Sequence, residues 1–227
     1  MTERPILFSG PMVRALLDGR KTQTRRGVKP QPEFYNPADG FPLSDGRNTS
    51  VSWRNTHIAP ETLPLLCPYG KPGDVLWVRE SCWVYGKWHP NGLNKRGGQR
   101  WRFEAIGREA IFENPGYEKV AHWGGGKGWA HRPSIHMPRW ASRISLRVTD
   151  VRVERLNDCS EADARAEGIE HLGPPDKDGR RHLGVPGLPI DAPTGGRAYA
   201  ALWDHINGPG AWAANPWVWA VSFEVAR

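Results

Sequence analysis

Between Asp18 and Glu33 the chain carries Arg20, Lys21, Arg25, Arg26 and Lys29, and no acid. Thr22 and Thr24 are set among these cations. A positive field with embedded hydroxyls suits an anionic or polar ligand, and nucleic acid is the commonest such partner. The same residues also describe a solvated basic turn. A second group lies further on, where Trp129, Arg132, Arg139, Trp140 and Arg143 interleave. Rings on which bases stack, beside cations that follow phosphates, make a single-strand-binding surface. A packed segment with a basic rim has the same composition.

Other candidate chemistry is thinner. Cys159 has no His in a partnering motif to activate it. His122, His131 and His136 lack zinc-ligand spacing, with neither CxxC nor HxxxH to support them. Neither a metal nor a cofactor is implied. The run from His122 to Trp129 holds three consecutive glycines and a lysine. It lacks the GxxxxGK[ST] spacing of a phosphate loop and predicts a linker between two tryptophans.

The elements that must position these residues follow from periodicity. Residues 5–9 predict a first strand. Gly10-Pro11 opens a short helix, Met12, Val13, Leu16 and Leu17 form its apolar stripe, and Gly19 ends it. Residues 28–64 are polar, rich in Pro, Asn and Gly, and predict a long loop. Residues 75–83 predict a strand whose apolar start implies burial on both faces. Residues 84–141 predict a Trp- and Gly-rich insertion, with a strand near 101–105. Residues 143–156 alternate apolar and polar, giving a long half-buried strand or two strands bent near Asp150. Ser160-Glu161-Ala162-Asp163 opens a short helix like a capping box, and Gly168 closes it. Residues 170–194 predict a loop, 198–207 a helix ended by Gly208, and 217–225 a terminal strand. The class is α+β, mostly β, closed as a small barrel with short helices at its mouths.

Composition sets the bounds. Lys and Arg number 31 against 24 Asp and Glu, a net +7 that favours a polyanionic partner without choosing a fold. Gly (26) and Pro (21) predict many turns. The 12 tryptophans predict a Trp-rich core with a few rings at a ligand surface. Three cysteines, an odd number without CxxC, point to a reduced cytoplasmic protein. No apolar run approaches the roughly 20 residues of a membrane span, so no membrane partner is expected. The 227 residues suit one domain with a large insertion.

Three segments resemble one family. Gly19-Arg20-Lys21-Thr22-Gln23-Thr24-Arg25 is similar to the GxKxxTxR signature of ASCH domains, members of the PUA-like superfamily. Gly73-Asp74 leading into Val75-Leu76-Trp77-Val78-Arg79-Glu80 resembles that family's turn into a barrel strand. Ser160 to Ile169, followed by the strand 217–225, resembles its short acidic helix and closing strand. The likeness covers roughly residues 4–27, 72–83, 140–170 and 196–226. The long Trp-rich form is similar to versions often encoded by phages and prophages.

The resemblance implies a small β-barrel with a cleft beside the first helix, in a superfamily devoted largely to RNA and modified bases. One branch hydrolyses N4-acetylcytidine with a Lys, a Thr and a Glu, which by motif position are Lys21, Thr24 and Glu167. In such chemistry Thr24 supplies the nucleophilic oxygen, and Lys21 acts as base only if its pKa is pulled down. Glu167 then orients Lys21 or activates a deacylating water. In a regular strand residues 21 and 24 point to opposite faces, so this trio requires a turn or bulge between them. The alternative is a binding module for a nucleoside or single-stranded nucleic acid, RNA ahead of DNA, with Arg20, Arg25 and Arg26 on the ligand. A metal-dependent nuclease is a further alternative, although no acidic cluster supports it.

Overall fold

The computed structural model describes residues 1–35, 50–54, 56–58, 60–116 and 126–226. The elements in chain order are β1 (Glu3–Leu7), α1 (Gly10–Leu17), β2 (Gln23–Gly27), β3 (Glu33–Tyr35), β4 (Ser50–Trp53), β5 (Thr56–Ile58) and β6 (Val75–Arg79). There follow β7 (Cys82–Leu93), β8 (Gln99–Ile111), β9 (Lys127–Arg132), β10 (Ser145–Arg155) and α2 (Glu161–Ala166). The chain ends with β11 (Glu170–His171), β12 (Leu183–Gly184), α3 (Gly195–Asn207) and β13 (Trp217–Ala226). The protein is mostly β with few helices. No described helix is long and apolar enough to cross a membrane.

A five-stranded sheet has the order β1-β6-β10-β13-β2. β13 runs antiparallel to β10 on one side and to β2 on the other. β10 is one long strand, the first of the two expected alternatives, and its register against β13 slips between Val148 and Asp150. The chain divides into two compact units. Unit 1 is Met1–Arg4, Pro11–Leu76 and Ser145–Arg227; unit 2 is Pro5–Gly10 and Trp77–Ile144.

In unit 1, α1 buries Met12, Val13, Ala15 and Leu16, the inward part of its stripe, and leaves Leu17 exposed. β13 buries Val218, Trp219, Ala220 and Val221, and α3 buries Ala198, Tyr199, Leu202 and Trp203. Residues 28–64 are not simply a loop. They contain the sheet β3-β4-β5 and a 3-10 helix, Pro60–Leu66. Their polar sequence hid these strands because each is only three or four residues long, too short for alternation to register. Residues 170–194 hold the small pair β11 and β12.

Unit 2 is built on the antiparallel sheet β8-β7-β9. β7 and β8 form a long hairpin, so residues 84–141 hold regular structure well beyond the single strand expected at 101–105. One face of this sheet is a core: Cys82 and Val84 are buried with Met137 and Ala141, and Phe103, Phe112 and Trp140 pack against them. β6 alternates half-buried and buried residues, which corrects the expectation of burial on both faces. The first part of the Gly-rich run, with His122 and Trp123, lies outside the described residues.

Candidate functional site

The basic turn is shaped by the end of α1. Gly19 adopts φ +72°, a left-handed conformation that glycine reaches without steric cost. The N–H groups of Arg20 and Lys21 then both donate to the Ala15 carbonyl, at 2.9 and 3.0 Å. Thr22 N–H donates to Ala166 O at 2.8 Å, which ties the turn to the end of α2. α2 begins with a full capping box: Ser160 Oγ accepts from Asp163 N–H, and the Asp163 carboxylate accepts from Ser160 N–H. Gly168, at φ +99°, follows it. A Cβ there would stand 3.3 Å from Ala15 Cβ and 3.6 Å from Lys21 Cβ, so only glycine lets these segments approach.

Lys21 and Glu167, 146 residues apart, therefore meet. Lys21 Nζ donates to Glu167 Oε2 at 2.7 Å and to the Glu167 carbonyl at 2.8 Å. Both residues are buried, Lys21 to 2 % exposure and Glu167 to 3 %. Burial pushes the Lys21 ammonium below its ordinary pKa, and the Glu167 carboxylate opposes that shift. Tyr199 Oη donates to Glu167 Oε1 at 3.2 Å. Arg25 completes the group. Its Nη1 donates to Gln23 Oε1 at 2.6 Å and to Glu167 Oε1 at 3.4 Å, and its Nε and Nη2 donate to Glu154 Oε1 at 2.9 and 2.6 Å. Arg25 also lies 3.3 Å from Asp163, and Arg152 bridges Asp163 and Glu154 from outside. Burial works against the charge of Arg25, but the surrounding carboxylates, Glu167 first, outweigh it and hold the guanidinium charged. Asp163 is also buried in part, which raises its pKa. The Ser160 hydrogen bonds and Arg25 more than offset this and hold it at about 2.

The structure thus brings Lys21 and Glu167 together and leaves Thr24 apart from them. Thr24 lies inside β2, opposite Val221 on β13, while Gln23 and Arg25 lie opposite Ser222 and Ala220. Alternation puts Gln23 and Arg25 on the face of the ion network and Thr24 on the other. Lys21 precedes the strand, but its ammonium reaches the Arg25 side. The turn that would have joined Lys21 and Thr24 ends before β2 begins. The thiol of Cys159, which burial raises to about 12, stays protonated at neutral pH.

Alternation also separates the arginines. Arg25 has no exposed side-chain surface, so its place is in the network rather than on a ligand. Arg20 is paired with Asp18 at 2.9 Å and Glu170 at 3.0 Å. Arg26 lies opposite Trp219 and lines a cavity of about 380 Å³ with Gly27, Lys29, Trp53, Arg54, Pro68, Tyr69, Trp203, Asn207 and Trp219. Trp53 and Trp219 meet edge to face, 6.0 Å between centroids, and the Arg54 guanidinium stacks 4.2 Å above Trp53. Trp53 Nε1 donates to Pro30 O at 2.9 Å. The Trp203 indole N–H is buried and has no acceptor among the described residues. A buried donor without a partner costs about 1–3 kcal/mol.

The aromatic-basic run of unit 2 is not one surface. Arg143 makes a double hydrogen bond to Glu80, at 2.9 and 3.0 Å, and lies 3.9 Å over Phe112. Arg132 stacks 4.6 Å over Phe103, Arg139 lies 5.7 Å from the Trp77 ring, and Trp140 packs on the core face. Trp129 belongs to the opposite face, where it is buried beside Tyr85. Among the described residues, no group of three or more His, Cys, Asp or Glu is placed to hold a metal.

Of the cavity's cations, Arg26 and Lys29 lie in the basic stretch that the sequence marks, whereas Arg54 and the rings of Trp53, Tyr69, Trp203 and Trp219 come from segments far apart in the chain and carry no shared local signal. No protein-family model matches the chain, and neither the curated proteins nor the solved structures yield a match.

Proposed function

We propose that unit 1 binds a nucleobase, carried by a nucleotide or by a single strand of nucleic acid, in the cavity lined by Arg26, Lys29, Trp53, Arg54, Tyr69 and Trp203. The observation that carries this reading is the combination, in one cavity of about 380 Å³, of indole and phenol rings with three cations. The volume falls in the range of small-molecule sites, roughly 300–1,000 Å³. Rings recognise a planar base by stacking, and the cations favour its phosphate. The resemblance to ASCH domains, with the closed barrel it implies, belongs to the same proposal. It is supported by the order of α1, basic turn, β2 and capped α2. The three free cysteines favour a reducing, cytoplasmic setting for it.

Deacylation of an N4-acylated cytosine is the second reading. The 2.7 Å contact between Lys21 and Glu167 favours it. The place of Thr24 on the other face of β2, and the burial of Lys21, Thr24 and Glu167, count against it.

Titration with nucleoside monophosphates, followed by tryptophan fluorescence, tests the binding reading. A saturable change is expected, weakened about tenfold by Arg54→Ala, since hydrogen bonds to charged groups contribute about 1.5–3 kcal/mol. No change up to about 1 mM ligand would leave the cavity without this function. Release of cytidine from N4-acetylcytidine, abolished by Lys21→Ala, would establish the second reading instead.

A further inference from the structure

Unit 2 carries the whole net charge of the chain. Residues 77–144 hold twelve of the 31 Lys and Arg and five of the 24 Asp and Glu, a net +7. The remaining residues balance at nineteen against nineteen. The five acids of unit 2 are all Glu, and Glu80 is taken by Arg143.

The sheet β8-β7-β9 has two unlike faces. The packed face holds Cys82, Val84 and Phe103. On the other face the cross-strand partners share a side. Trp83 lies opposite His131, Tyr85 opposite Trp129, and Lys87 opposite both Lys127 and Glu104. His89 lies opposite Arg102. The Trp83 and His131 rings are 5.1 Å apart, and the Tyr85 and Trp129 rings meet edge to face at 5.5 Å. Trp129 is buried, whereas Trp83, Tyr85 and Lys87 are half-buried and Arg102, Lys127 and His131 are exposed. Rings at one end, and cations at the other, thus share one pleated face.

We propose that this face is a second nucleic-acid contact, separate from the cavity of unit 1. It takes a single strand, with bases stacked on Trp83 and Tyr85 and phosphates on Lys87, Arg102 and Lys127. Charge complementarity selects a polyanion, and the half-buried rings select unpaired bases over a duplex, whose bases are stacked on each other.

Fluorescence anisotropy of the full chain with a labelled oligouridine, from about 50 to 300 mM salt, tests the proposal. The triple variant Lys87→Ala, Arg102→Ala, Lys127→Ala is expected to lower the slope of log K against log salt by about 2, near 0.7 for each lost phosphate contact. Arg102 and Lys127 are exposed and Lys87 is half-buried, so the variant is first matched to the wild-type fold by circular dichroism. Trp83→Leu keeps apolar bulk and removes the stacking ring; it is expected to weaken binding about tenfold while leaving the salt slope unchanged. An unchanged slope in the triple variant overturns the proposal. So does equal affinity for a duplex of the same length with no effect of Trp83→Leu, which would mark the face as a charge patch only. The nucleoside monophosphate titration of unit 1 is expected to be unaffected by both variants, so each reading stands or fails by itself.

Discussion

In unit 1, Arg25 has no exposed side-chain surface and faces Glu154, Asp163 and Glu167. In unit 2, Arg102 and Lys127 stand exposed on a sheet face, within a segment that carries the entire net +7. One region balances its charges and turns several inward; the other leaves an excess and turns it outward. The same residue types therefore do different work. Buried pairs in unit 1 fix how the α1 turn, α2 and β2 meet, because a charge removed from water must find its partner. Exposed cations in unit 2 contribute little to stability, since water screens them, and in the proposed strand contact their part is long-range attraction.

The comparison breaks most visibly at Glu167. Glu167→Ala leaves the Lys21 ammonium buried without its carboxylate and is expected to destabilise the protein by about 3–5 kcal/mol in a urea titration. The matched change in unit 2, Glu104→Ala, removes the exposed pair with His89 and is expected to shift stability by less than about 1 kcal/mol. Equal effects at the two sites would erase the distinction between inward and outward charge.

Gly168→Ala sharpens the same point without touching a charge. It introduces a Cβ at φ +99°, 3.3 Å from Ala15 Cβ, against the turn that positions Lys21. A loss of about 1–3 kcal/mol is expected by thermal or chemical denaturation.

Acid should loosen unit 1 at a defined place. Asp163 has a folded-state pKa of about 2 against an ordinary 3.8, so its contribution is present above pH 3.8 and is lost as pH falls towards 2. Denaturant midpoints of wild type and Asp163→Asn are expected to differ at pH 6 and to converge near pH 2. Ser160→Ala, which removes the other half of the cap, is expected to cost about 1 kcal/mol. The smallest effect belongs to Lys127→Gln in unit 2, within about 0.5 kcal/mol on stability.

Local signals carried much of the fold. The stripe of Met12, Val13 and Leu16 with Gly19 marks α1, Ser160 with Asp163 marks α2, and the broken alternation at Asp150 marks the bulge in β10. These are decided by residues a few positions apart. The meeting of Lys21 with Glu167 was legible through the family likeness, whereas the place of Thr24 depended on where β2 begins. The cavity was not legible, because Trp53, Tyr69, Trp203 and Trp219 are brought together only by tertiary contacts. Arg143 reads as a free cation until Glu80 is seen to hold it. The alternation Trp83, Tyr85, Lys87, His89 was present in the sequence, but it runs on from a strand that was expected to end at Trp83. A period-2 reading continued to residue 89 would have found that face.

The most direct measurement follows the indole N–H signals of the ¹⁵N-labelled protein while cytidine monophosphate is added, with Trp203→Phe and Trp83→Leu used for assignment. If unit 1 holds the nucleobase site, the Trp203 and Trp53 signals move as the base meets the cavity their residues line, and those of Trp83 and Trp129 stay in place. A Trp203 signal that does not move, or shifts confined to Trp83 and Trp129, would contradict the account.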